Sequence, residues 1–461
     1  MWIVAGVVVL GVFMSILDTT IVNVALATLA RELHAPLDEI QWVATGYLLS
    51  LAIVIPLSGW FSERFGSKRV WMSSVAIFGI GSALCGAAWS SGSLIAFRIV
   101  QGIGGGMIMP VSMSLLAQTA GPRRVGRVMA VIGVPMLLAP VFGPVIGGLL
   151  VVSVSWRWIF YVNVPIVLLA LVLAARLLSG DQGRADAGRL DWAGVALLPP
   201  GLALFVFGLS EVESHGGIDA PIAWGPMVVG LVLLALFARH AWHAERPLID
   251  VRLFAHRCFR PAAVAVTMAG AALFGSILVI ALYFQLARGE SPLDTGLLTA
   301  PQGLGAAAVM PLAGRLTDRV GGGRVAAVGF ALLTVGTLPF ALVETDTSYA
   351  LLTVALVVRG IGLGCAMMPT MAAAFAQLEP PQVPRATAAL NALQRTGGSI
   401  GTALLAVVLT HELAAQPPAD AFGTTFWWAV GISALAIVPA AVLALRERGA
   451  SRQAGAVAPP A

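Results

Sequence analysis

Gly59-Trp60-Phe61-Ser62-Glu63-Arg64-Phe65-Gly66-Ser67-Lys68-Arg69 is a short charged stretch set between two long apolar runs. Its spacing returns later in the chain, where Gly314, Asp318, Arg319 and Gly321 repeat Gly59, Glu63, Arg64 and Gly66 at a constant offset of 255. A second echo pairs Gln101-Gly102-Ile103-Gly104 with Arg359-Gly360-Ile361-Gly362 at an offset of 258, each followed by a proline, Pro110 or Pro369. Glycine-bounded charges that recur between apolar segments point to a duplicated set of membrane helices.

The composition agrees. Of 461 residues, 58% are hydrophobic and 11% charged, against roughly 45–50% and about 25% in a soluble domain. A soluble globule could not bury that much apolar surface, and the mean hydropathy of +0.91 belongs to a polytopic membrane protein. The expected spans are 2–30, 39–59, 71–89, 93–118, 126–152, 158–178, 190–210, 221–239, 261–287, 296–314, 324–344, 348–376, 386–411 and 424–445, fourteen helices in an all-α fold. The first run lacks a basic leader and a cleavage site, so it reads as a permanent span.

Charge placement orients the chain. With the N-terminus inside, the outer loops hold only Arg31, Arg157 and Arg288, while Arg98, Arg359 and Arg395 fall within spans; the rest of the 27 basic residues lie in inner loops and the tail. The positive-inside rule then puts both termini in the cytoplasm, for a multi-pass protein of the cell inner membrane. The net charge of +5 is therefore topology, with lipid headgroups rather than nucleic acid facing the bases. The repeat divides the chain into a six-helix bundle over 1–178, two inserted helices with polar linkers over 179–260, a second six-helix bundle over 261–445 and a cytoplasmic tail over 446–461. The inserted pair is expected at the periphery, and a substrate path between the bundles near the bilayer midplane.

Asp18 is the one carboxylate well inside an expected span, and a charge at that depth normally faces a cavity and does work there. A carboxyl so placed suits loading and release of a proton. Arg98 falls at a similar depth on the fourth span, where a guanidinium can pair with it, and Gln101 offers an amide one turn on. Gly102, Gly104 and Gly106 sit mid-helix with no strand before them, so they serve close helix packing rather than a dinucleotide. Pro135, Pro140 and Gly143-Pro144-Val145-Ile146-Gly147-Gly148 mark a kinked, tightly packed fifth span.

Other chemistries are not expected. The single lysine, Lys68, follows Gly66-Ser67 outside any phosphate-binding loop. His240 and His243 read as a solvated helix face, and Cys85, Cys258 and Cys365 as isolated core residues rather than ligands or a disulfide framework. No catalytic constellation points to an enzyme, and neither cofactor nor metal is expected. Tyr47, Phe274, Tyr283, Gln285, Gln302 and Asn391 are aromatic or amide positions that can line a cavity of mixed polarity.

Together these residues resemble the major facilitator superfamily, and within it the fourteen-span drug:proton antiporter-2 family, over about residues 1–445. Leu17-Asp18-Thr19-Thr20-Ile21-Val22-Asn23-Val24-Ala25-Leu26 is similar to that family's first-helix signature, which implies proton coupling at Asp18. Gly59 to Arg69 is similar to the superfamily's inner-loop motif, which implies a conformational latch of Gly59, Glu63, Arg64, Gly66, Lys68 and Arg69. The second copy runs from Gly314 through Asp318 and Arg319 to Arg324. Glu63 stands where an aspartate is usual, and Ser67 where a base is. Arg98-x-x-Gln101-Gly102 is similar to the fourth-helix motif of proton transfer. Ala139-x-x-x-Gly143-Pro144-x-x-Gly147-Gly148 is similar to the fifth-helix antiporter motif, with Ala139 where a glycine is common. Trp156–Pro165 and Asn391-Ala392-Leu393-Gln394-Arg395-Thr396-Gly397-Gly398 look like stretches of the same group; Gln394 and Arg395 from the second, with Asn23 of the first-helix signature, join the expected cavity.

The resemblance implies a monomeric, proton-coupled exporter of amphipathic small molecules or drugs, working by alternating access. The alternatives are a dedicated exporter of one metabolite, lipid or antibiotic, an uptake symporter, or a receptor or assembly protein of the same fold.

Overall fold

The computed structural model describes residues 2–120, 142–143, 146–151, 153–178, 189–214, 221–245, 247–344, 347–376, 378–379 and 382–457. The described part is helical throughout. In the first half lie α1 (Trp2–Glu32), α2 (Leu37–Val54), α3 (Leu57–Phe65), α4 (Ser67–Gly86), α5 (Ser91–Ala120), α6 (Trp158–Tyr161) and α7 (Asn163–Leu177). The inserted pair is α8 (Trp192–Ser214) and α9 (Pro221–His243). In the second half follow α10 (Phe259–Leu282), α11 (Pro292–Val320), α12 (Gly322–Ala341), α13 (Tyr349–Phe375), α14 (Val383–Ala415) and α15 (Pro418–Val457). Helices satisfy their own backbone groups, which hydrocarbon demands. Large side chains such as Ile80, Leu168, Val228, Val328, Val354 and Leu435 remain exposed, where lipid tails would meet them.

Twelve of these helices are long and apolar enough to cross a membrane, and α2 with α3 makes a thirteenth if the bent pair is one span. The fourteenth, expected over 126–152, lies largely outside the described residues. Several expected boundaries shift. The second span does not end at 59: it bends by 55° between Val54 and Leu57, because Pro56 cannot donate to the carbonyl of Ala52 and its ring crowds that turn. The helix then resumes, so Gly59, Glu63 and Arg64 ride on α3 rather than in a loop. Gly314, Asp318 and Arg319 likewise belong to the last turns of α11. The sixth span breaks at Val162, where Pro165 removes the donor to the Tyr161 carbonyl. The expected tail from 446 is helical as far as Val457.

The repeat is physical. Gly66 closes α3 with φ 87° and its N–H on the Ser62 carbonyl, and Gly321 closes α11 with φ 93° and its N–H on the Thr317 carbonyl. Both take a left-handed backbone that only glycine adopts at no steric cost. The helices after them, α4 and α12, are each 20 residues long and start and stop at the same 255 offset. Packing repeats too: a Cβ on Gly104 would run into the Phe78 nitrogen, and one on Gly362 would lie 2.5 Å from the Leu333 nitrogen. Since these neighbours are backbone and cannot swing away, Gly104→Ala is expected to destabilise by about 1–3 kcal/mol, read as a lower unfolding midpoint of the purified protein.

Burial shows where the halves join. One core cluster unites both at the basic face, combining Val8, Leu51, Ile55, Trp71 and Met113 with Val266, Met371 and Leu390. Toward the opposite face the core divides, with Leu17, Ile21, Ile40 and Ile159 in one cluster and Val279, Tyr283, Phe340 and Phe422 in another. Among the described residues the halves are thus closed together at the basic end. The inserted pair is only half peripheral. α9 is largely exposed, whereas α8 packs against both α2 and α14, one helix from each half, and Phe207 stacks on Trp42 at 6.0 Å. Asp191 ties the start of α8 to the end of α9 and the linker beyond it, accepting from the Gly194 and Leu248 amides and meeting His240 Nε2 at 2.8 Å.

Candidate functional site: a buried charge cluster and an end latch

α1, α4, α5 and α7 converge on Asp18. Its Oδ2 receives Arg98 Nη1 at 2.6 Å, and its Oδ1 receives Gln101 Nε2 at 2.9 Å and Asn163 Nδ2 at 3.0 Å. Arg98 Nη1 also donates to Gln101 Oε1 at 2.7 Å, and Nε donates to the Val43 carbonyl at 3.1 Å. The guanidinium lies 4.0 Å from the centre of the Tyr47 ring, a cation–π contact. Asn163 bonds Ser82 Oγ, which donates to the Phe160 carbonyl at the α6–α7 break. Asp18, Arg98, Gln101 and Asn163 are each at most 1% exposed.

Small residues admit this network. A Cβ on Gly81 would sit 2.6 Å from the Gln101 Cα, so α4 and α5 touch where Gln101 turns toward Asp18. Gly143 of the fifth-span motif comes against Thr20, two residues from Asp18, so closely that a methyl group there would collide with the Thr20 hydroxyl; Gly147 faces Ile21. Gly148 has open space around its Cα. Pro144 and the side chain of Asn23 lie outside the described residues.

At the basic end a second polar site joins the halves. Glu63 Oε2 meets Arg385 Nη2 at 2.8 Å, both side chains about 15% exposed, and Arg385 Nη1 donates to the Pro247 carbonyl at 3.1 Å. Gly59 lets the helices close, since its Cβ would lie 3.0 Å from the Arg385 Cα. Lys68 Nζ caps α7, donating to the Leu178 and Ala175 carbonyls, while Arg64 and Arg69 are exposed. In the second copy, Glu447 of α15 accepts from the Gly322 and Gly323 amides at the start of α12, where a carboxylate meets the helix dipole, and Arg324 lies beside it. Asp318 is half-buried and Arg319 exposed. Arg385 and Glu447 carry the second half's part of these contacts, and neither stands out in the sequence. Arg385→Ala is expected to loosen the basic end, read as faster maleimide labelling of an Asn391→Cys reporter; exchanging the charges with Glu63→Arg and Arg385→Glu is expected to restore slow labelling.

The expected cavity residues scatter. Tyr47 is buried against Arg98. Tyr283 packs with Phe284, Phe340, Phe422 and Phe426, and Gln285 is exposed. Phe274 lies against Gly398 where α10 crosses α14. Asn391 reaches across the halves to Met113 Sδ at 3.4 Å. Gln394 is buried and Arg395 half-buried on α14, and Gln302 meets Arg359. Asn163, which donates to Asp18, and Ser82, which holds Asn163 in place, are not announced by the sequence; the one signal for Asn163 is its place in the Trp156–Pro165 stretch.

The sequence pattern of the Major Facilitator Superfamily matches residues 8–248 and 262–460. The chain belongs to that superfamily. It is 44% identical over 411 residues to the multidrug resistance protein B homolog of Mycobacterium tuberculosis, covering 88% of this chain and 76% of the relative. It is 34% identical over 437 residues to the puromycin resistance protein pur8 of Streptomyces alboniger, covering 91% and 85%. Among solved structures it resembles the human organic anion transporter MFSD10, with a TM-score of 0.66, 18% identity and coverage of 96% and 99%, a likeness of fold alone. Superfamily membership makes the chain a multi-pass membrane transporter that takes small-molecule substrates.

Proposed function

We propose that this transporter is a proton-coupled exporter of amphipathic small molecules, drugs among them, built on fourteen spans with both termini in the cytoplasm. The observation that carries the reading is the Asp18–Arg98–Gln101–Asn163 cluster. The three side chains that reach Asp18 all donate to it, the pattern that suits a carboxylate, so in this reading the conformation closed at the basic end is the one in which the deprotonated acid pairs with Arg98. A proton arriving from the far side replaces the Arg98 contact with an O–H bond and frees the guanidinium, and the α1–α5 packing loosens. Rocking of residues 1–178 against 261–445 breaks Glu63–Arg385 and opens the basic end, where substrate entry and return of Asp18 to Arg98 expel the proton inward. Proton and substrate thereby take turns. The names of the relatives, multidrug and puromycin resistance, support drug-like cargo.

Inside-out vesicles with an acid interior test this. Addition of lipophilic cations and neutral drugs is expected to collapse the pH gradient in proportion to the amount of transporter. A gradient that no compound disturbs, against clear responses from a known exporter prepared alongside, would overturn the broad-specificity reading and leave a single-substrate exporter or a receptor or assembly protein of the same fold.

A further inference from the structure

The second half contains a copy of the Asp18 cradle without the aspartate. Through the repeat, Tyr47 corresponds to Gln302 and Ser82 to Thr337 at offset 255, and Gln101 to Arg359 at offset 258. The three counterparts meet in space. Arg359 Nε donates to Gln302 Oε1 at 3.1 Å and Nη1 to Thr337 Oγ1 at 2.8 Å. A Cβ on Gly336, the counterpart of Gly81, would lie 2.7 Å from the Arg359 nitrogen, so the helix contact that places Gln101 beside Asp18 recurs here. The difference is charge. In the first half the cradle closes on a carboxylate from α1, whereas α10, which stands in the place of α1, has neither Asp nor Glu anywhere in Phe259–Leu282.

Arg359 is 0% exposed, and among the described residues it has no acidic partner within ion-pair distance. A guanidinium offers five N–H donors; two are used, and Nη2 is buried with no acceptor. An uncompensated cation at membrane depth is strongly disfavoured, and a fork of parallel donors matches a carboxylate in two-pronged fashion. Gln302 is only half-buried, the least enclosed of the three, whereas Arg359 and Thr337 are fully buried.

We propose that Arg359, Gln302 and Thr337 form a binding site for a small singly charged anion, the carboxylate of a substrate or an inorganic anion standing in for it. The first half supplies its own anion and trades it for a proton; the second half takes its anion from outside the chain. Assignment of that anion to cargo rests on the export reading, but binding itself does not.

The purified full-length chain in detergent is titrated with sodium benzoate, sodium chloride and, at matched ionic strength, sodium isethionate, which carries no carboxylate, following the thermal unfolding midpoint. Benzoate is expected to raise the midpoint in a saturable manner beyond isethionate, and Arg359→Gln to weaken the apparent affinity at least about tenfold. Arg359→Lys, which keeps the charge but loses the fork, is expected to fall between. Gln302→Leu, which leaves Arg359 in place, is expected to reduce the response and guards against misfolding of the arginine variants. A response to benzoate alone assigns the site to carboxylate-bearing substrates, and an equal response to chloride assigns it to inorganic anions. No response beyond isethionate in the unmodified chain, or the same response in Arg359→Gln, overturns the site. Asp18→Asn is expected to keep the benzoate response, so a chain that binds the anion yet exports nothing separates the failure of the export reading from that of this one.

Discussion

Asp18→Asn is expected to reduce substrate-driven collapse of the pH gradient to the level of empty vesicles. An asparagine keeps the size of the side chain and can still accept from Gln101 and Asn163, but it neither binds a proton nor balances Arg98. Substrate binding need not suffer, so drug affinity measured on the purified variant is expected to stay within a few-fold of the unmodified chain, roughly 1 kcal/mol or less. The distinction matters because a variant that merely misfolded would lose both. Equal collapse by Asp18→Asn and the unmodified protein would remove Asp18 from the coupling step and leave its ion pair a structural feature of the first bundle.

Arg98→Ala is expected to be more damaging than Asp18→Asn. Removal of the arginine strands a carboxylate that is 0% exposed, opens the space over the Tyr47 ring and removes the side-chain bond to the Val43 carbonyl. Breaking a buried pair from one side typically costs about 3–5 kcal/mol, a large share of any protein's stability. The expected result is a much lower unfolding midpoint and little folded protein. Combining Arg98→Gln with Asp18→Asn removes both charges and leaves amides that can bond each other, so the double variant is expected to regain most of the midpoint while remaining unable to couple protons. A double variant as unstable as Arg98→Ala would mean that packing on Tyr47, rather than charge balance, is what Arg98 contributes.

Asp18, Arg98 and Gln101 are legible in the sequence because charge is rare inside an apolar run, and in hydrocarbon the exception is the message. Asn163 and Ser82 are not, since a neutral amide or hydroxyl in a span costs less than a charge and can be satisfied by a neighbouring helix without serving function. Glu63 and the glycines around it stand out by their repetition, but Arg385, 322 positions further on, resembles any other basic residue beside the membrane. The bend at Pro56 is written in the chain as a proline, yet hydropathy ends the span a few residues beyond it, where the chain continues as α3.

Hydropathy, charge asymmetry and the 255-residue echo are properties of one dimension, and they determined that the chain crosses the membrane many times as two related halves. Local chemistry also decided where it turns, because left-handed glycines and helix-breaking prolines act on their immediate neighbours. Which helix faces which was decided only in three dimensions. The closure of the halves at the basic end, the bridging position of α8, the fourfold convergence on Asp18 and the aspartate-free counterpart around Arg359 all depend on contacts between residues tens to hundreds of positions apart. Such contacts arise from close approach of small-residue surfaces and from the need of each buried charge for a partner, and neither requirement names its partner in the sequence.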